Sequence, residues 1–235
     1  MRGLLIALAL AGCAAAPVPV AGPAAAPPPG AAGPARTFLA VVDRVEPVAE
    51  QVCRERAPEG LSCDFVIVVD DRPGVPVNAF QFRGPDGRPV VGLTLPLIAE
   101  ARSPDELAFI LGHEAAHHIA GHLERQRIGA IQGAGAGRQL ALEQGADAAT
   151  TEELIRLGAF VGARRFGPPF ELEADALGTV IAARAGFDPV AGAEFFARLP
   201  DPGDRFLGTH PPNAARLDTV RRVAARIGTG SRTGS

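Results

Sequence analysis

The chain has 235 residues, no lysine, and 23 arginines set against 26 carboxylates, for a formal charge of −3. That length suits one compact domain with appendages and buries a real core. With no basic block, neither nucleic acid nor an anionic lipid surface is implied as a partner.

The first residues read as targeting signal rather than structure. Arg2 supplies the positive start, and Leu4 to Ala11 form an apolar run too short to span a bilayer. The run ends in Leu10-Ala11-Gly12-Cys13, which resembles a bacterial lipobox. On that reading 1–12 is a lipoprotein signal peptide and Cys13 is lipidated; the alternative is an ordinary signal peptide with an incidental cysteine. Ala14, where an aspartate would retain the protein at the inner membrane, points to an outer-membrane lipoprotein facing the periplasm. Residues 13–35 are Ala-, Pro- and Gly-rich and read as an extended tether. No later run reaches transmembrane length.

A globular domain is predicted over 36–228. Phe38, Val41, Val42, Val45 and Val52 recur at helical spacing, with Pro47 perturbing the helix. Cys53 and Cys63 meet an oxidising compartment after export, so a disulfide is expected in preference to two buried thiols. Residues 64–70, 77–82 and 90–95 read as three strands of a small antiparallel sheet. Ser103-Pro104-Asp105-Glu106 opens a helix as N-cap, first-turn proline and capping box, and that helix runs to about Leu123. Residues 129–150 are Gly- and Ala-rich and read as a mobile segment. Helices follow from Glu171 to Ala185 and from Asp188 to Leu199. A last helix carries Leu217, Val220, Val223 and Ile227 on one face, before a polar tail at 229–235. The class is α+β, mostly helical.

His113-Glu114-Ala115-Ala116-His117 lies inside the capped helix. Positions i and i+4 share a face, so both imidazoles reach one metal, and neutral imidazole suits zinc. Glu114 overhangs the metal without ligating it and is placed to take a proton from an attacking water. His122 stands nine positions from His113, about 180° round a continuous helix, and His118 about 140° round. Both therefore read as structural. Glu171 and Asp175 share a face of the next long helix. One carboxylate is expected to ligate the metal and the other to accept a hydrogen bond from a liganding imidazole. Glu173 falls on another face and reads as surface.

These motifs, with Asn78-Ala79-Phe80, Asp105 to Ala108 and Thr209-His210-Pro211 followed by Arg216, resemble the gluzincin metallopeptidases. That family includes the CaaX prenyl protease and HtpX, and the likeness is greater to its soluble periplasmic BepA-type lipoproteins. The resemblance implies a zincin-like fold and one Zn2+ per chain. It makes Glu171 the third ligand, gives Asp175 a supporting role, and sets Asn78, Ala79 and Phe80 at the cleft edge, where a substrate adds as a strand. It also brings His210 and Arg216 to face the metal. A tyrosine-free chain needs some other donor to the oxyanion; alternatively His210 ligates the open position in a latent state. The implied activity is hydrolysis of unfolded or misassembled envelope proteins, with a metal-stabilised chaperone-like module as the alternative. The outer-membrane assembly machinery is a further implied partner, but the chain ends too soon for the helical-repeat domain of the BepA-type proteins, which weighs against that docking. Prenyl-protein processing within a bilayer is not expected.

Overall fold

The computed structural model describes residues 32–165, 167–199 and 211–230. The signal peptide, Cys13, most of the tether, His210 and the tail from 231 lie outside them.

Helix α1 (Ala32–Arg56) continues past Pro47 without a break. It buries Phe38, Val41, Val45, Ala49 and Val52, the stripe its periodicity predicts. Cys53 at its end is bonded to Cys63, closing a ten-residue separation. Strands β1 (Val66–Asp70), β2 (Ala79–Arg83) and β3 (Pro89–Thr94) form one sheet in the order β1-β3-β2. Only β2 and β3 are antiparallel; β1 runs parallel to β3, with Val66 opposite Val90. The sheet is thus mixed, not antiparallel. The connection over 71–78 carries the chain across to the far side of β3, which becomes the central and fully buried strand. A short helix α2 (Leu95–Glu100) follows directly.

Helix α3 (Pro104–Ile119) is the axis of the domain. Ser103 Oγ accepts from the Glu106 amide at 3.2 Å, as the cap motif requires. Glu106 does not return that bond to Ser103. Its carboxylate accepts from the Arg102 amide at 2.8 Å and takes both Arg198 nitrogens at 2.5 and 2.7 Å, tying α3 to α7 (Pro189–Arg198). Leu107, Phe109, Ile110, Leu111, Ala115 and Ile119 of α3 all lie in the core.

The chain does not continue α3 to Leu123. Gly121 takes a left-handed φ of 67°, which a side chain would resist, and the chain turns into α4 (His122–Gln144). Helix α5 (Ala148–Arg164) returns antiparallel to it, capped by Asp147. The segment expected to be mobile is therefore a helical hairpin. Gly129, Gly133 and Gly137 on one arm face Gly158 and Gly162 on the other, and a Cβ at any of them would enter the opposite backbone. Glycine spaced by four here means close helix packing, as small residues allow wherever backbones touch.

Helix α6 (Gly167–Arg184) crosses α3, and α8 (Asn213–Gly230) closes over both α6 and α7. Among the described residues no helix is long and apolar enough to cross a membrane.

Candidate metal centre

The crossing of α3 and α6 is set by Gly112 and Gly178. A Cβ on Gly178 would stand 2.9 Å from the His113 amide nitrogen, and one on Gly112 would stand 3.1 Å from the Gly178 carbonyl oxygen. Glu171 and Asp175, on the turns of α6 before Gly178, are thereby pressed against the histidine face of α3.

There His113, His117 and Glu171 offer three ligand atoms, all within 4.8 Å of one another. His113 Nε2 lies 3.0 Å from His117 Nε2, Glu171 Oε1 lies 3.3 Å from His117 Nε2, and Glu171 Oε2 lies 3.5 Å from His113 Nε2. Ligands ~2.0–2.1 Å from a tetrahedral zinc are separated by about 3.3 Å, so the spacing fits that ion. The outer nitrogens explain the tautomers. His113 Nδ1 is 2.9 Å from Asp175 Oδ1, so its N–H points to the carboxylate and its Nε2 lone pair points inward. The nitrogens of His113 and His117 thus converge on a point where a cation resolves their mutual repulsion.

Asp175 is fully buried and also accepts from Arg216, at 2.8 Å through Nε and 2.6 Å through Nη2. Burial opposes its charge, but the bonds from Arg216 and His113 hold its carboxyl below the ordinary value. Burial likewise works against protonation of His113; with no ion between the ligands, the Asp175 and Glu171 carboxylates override it and push the imidazole up to about 9, so a metal binding there would displace the Nε2 proton. Arg216 lies with its guanidinium 3.4 Å from the Phe196 ring centre and Nη2 3.8 Å from Glu171. The resemblance set Arg216 facing the metal; its guanidinium lies 3.3 Å from His113 Nδ1 and in the lining of the cleft, and it is held there by Asp175.

A cleft of about 240 Å³ opens onto these groups, with Glu114 and Arg216 in its lining, Asn78 and Ala79 at its β2 side, and Leu97, Ile110 and Phe195 among its apolar walls. Glu114 is half-buried there. Phe80 is not in the lining: alternation along β2 turns its ring to the other sheet face, stacked near Phe82 over Gly92. A larger hollow of about 580 Å³ beside Cys53 and Cys63 shares no residue with this cleft and holds none of the histidines.

His118 is structural, its Nε2 2.8 Å from the Ser62 carbonyl and its ring edge-on to Phe65. His122 is placed otherwise than a continuous helix would place it. The turn at Gly121 swings it back, so that its Nδ1 sits 2.8 Å from His117 Nδ1. Glu173 is not a bare surface residue either: its Oε2 lies 3.2 Å from His122 Nε2 and accepts from Arg125 at 2.8 Å. The signal for both was the glycine just before His122.

Two imidazoles and a carboxylate from crossing helices, with a glutamate beside them in a cleft, define a metallopeptidase. The chain belongs to Peptidase family M48, whose profile matches residues 40–224. It is similar to the beta-barrel assembly-enhancing protease of Yersinia pestis, 31% identical over 176 residues that cover 69% of this chain and 35% of the relative. The putative beta-barrel assembly-enhancing protease of Vibrio cholerae is 34% identical over 143 residues, 58% of this chain and 28% of that one. The Escherichia coli protein is 30% identical over 166 residues, covering 64% and 33%. The chain thus spans about a third of the length of these relatives.

Proposed function

We propose that this chain is a zinc endopeptidase of the bacterial envelope that hydrolyses unfolded or misassembled envelope proteins. The observation that carries the reading is the spacing of His113, His117 and Glu171, which fits one tetrahedral Zn2+, with Glu114 lining the same cleft. Zinc held there supplies a Lewis acid for the scissile carbonyl and lowers the pKa of the attacking water.

The chain's own residues do the rest. Glu114 takes the proton from the water and passes it to the leaving amine. Asp175 fixes the His113 tautomer, and Arg216 keeps Asp175 charged while adding positive potential near the developing oxyanion. His210, outside the described residues, is the further donor implied by resemblance. β2 is an edge strand, so the backbone at 78–80 is open to an extended peptide that adds as a fourth strand, which favours unfolded substrates. The relatives' name ties them to beta-barrel assembly, which supports an envelope setting.

The mechanism is tested with Glu114→Gln. It should retain about one zinc per chain and cleave an unfolded fluorescent substrate ~10²–10⁴-fold more slowly, the scale of losing a general base. Cleavage at the wild-type rate sinks the mechanism. Absence of cleavage by zinc-loaded wild type would favour the chaperone-like module instead. Anchoring rests on the lipobox alone: metabolic acyl labelling should mark the wild type and not Cys13→Ser, and an unlabelled wild type refutes it.

A further inference from the structure

The two imidazoles at the metal centre are supported differently. His113 has a buried carboxylate behind it. His117 has another imidazole: His122 Nδ1 lies 2.8 Å from His117 Nδ1, and His122 Nε2 lies 3.2 Å from Glu173 Oε2. The donors and acceptors along this row order themselves in one way only. If His117 turns its Nε2 lone pair inward, its Nδ1 carries the proton and donates to His122 Nδ1. His122 then carries its own proton on Nε2 and donates it to Glu173. Glu173 also accepts from Arg125 at 2.8 Å.

The row is held in place on every side. His122 is 1% exposed and stacks on Phe170, with ring centres 4.2 Å apart and planes 8° apart. Arg125 lies over the same Phe170 ring at 4.2 Å. Phe170 and Glu173 flank Glu171 on α6, so the helix that brings the carboxylate ligand also fixes the support of the imidazole ligand. Gly121 provides the turn that aims His122 back at His117.

We infer that His122 is a positioning residue for the metal centre, fixing the tautomer and ring angle of His117 and passing on the negative charge of Glu173 through two imidazoles. It touches neither metal nor substrate. Supporting groups of this kind commonly change metal affinity or activity by 10–100-fold.

The inference rests on His117 being a zinc ligand, so the experiment separates the two. Zinc dissociation constants are measured by chelator competition on wild type, His122→Phe, His122→Asn and Glu173→Ala, with melting of the metal-free proteins recorded alongside. His122→Phe keeps the stack on Phe170 but leaves the His117 N–H unpaired, so zinc should bind 10–100-fold more weakly. His122→Asn sets an amide oxygen near the Nδ1 position and should recover most of that loss. Glu173→Ala should weaken zinc by ~3–10-fold, below the full effect because one link of the row survives. In Co2+-substituted protein the visible ligand-field bands should shift in His122→Phe and return toward wild type in His122→Asn. Wild type that binds no zinc would overturn the metal reading itself. Zinc bound by wild type and equally well by His122→Phe would overturn only the role of His122. If His122→Phe fails to fold, unchanged zinc affinity in Glu173→Ala has the same force.

Discussion

Arg216 has two partners that pull its interpretation apart. It lines the cleft beside Glu114, yet its guanidinium is bound through two nitrogens to Asp175, which is fully buried. A purely catalytic arginine can be removed without cost to the fold. This one cannot, because Asp175 would keep its charge in a dry site with His113 as its remaining partner. Arg216→Ala should lower stability by about 3 kcal/mol, the low end for a broken buried pair. Denaturant melts of chelator-treated protein measure this free of metal, and unchanged stability would return Arg216 to an independent role at the oxyanion. The pairing was not legible in the sequence, since nothing local links positions so far apart. The two histidines and Glu114 were legible because one helical turn relates them. The same spacing marked Glu171 and Asp175 as a pair, but which of them ligates came from the resemblance.

At the scale of the helix, the site depends on how closely α3 and α6 cross. Gly178→Ala tests this with two opposed effects. Alanine favours a helix over glycine by about 1 kcal/mol, but its Cβ would stand 2.9 Å from the His113 nitrogen and 3.0 Å from its Cα. Overpacking of this kind costs about 1–3 kcal/mol, and it falls on the backbone that carries a ligand. Gly178→Ala should therefore be less stable than wild type and bind zinc more weakly. A more stable variant in the same thermal melt would show that the helices have room. Elements whose signal is a local pattern were read correctly: the apolar stripe of α1, the Ser103 cap of α3, and the start of α7 at Asp188, whose side chain accepts from the Val190 and Ala191 amides. Elements whose signal is a partner were not. Glycine at 129, 133 and 137 was taken for mobility because its reason, a second glycine helix, lies across the hairpin. The direction of β1 was missed because strand order depends on how a loop crosses, not on the strand's residues. His122 was set aside because α3 was assumed to continue through Gly121.

For the whole molecule, the metal is a question of stability as well as chemistry. Ligands come from two helices that are otherwise joined by close packing and by the His113–Asp175 contact. Zinc at 100 times its dissociation constant should add about 2.7 kcal/mol, or roughly 5–10 °C in a domain of this size. Calorimetry with zinc and with chelator measures the difference, and coincident melts would mean that zinc does not bind the native fold. His117 stands near the end of α3 and Glu171 near the start of α6, so the α4–α5 hairpin leaves and rejoins the body between them. An ion held by both residues cross-links the neck of that excursion, as a disulfide would, and limits the freedom of the opened chain. Demetallation cuts the cross-link and frees the feet of the hairpin first. If the proposed role holds, zinc starvation would turn a peptidase that clears loosened chains into one of them.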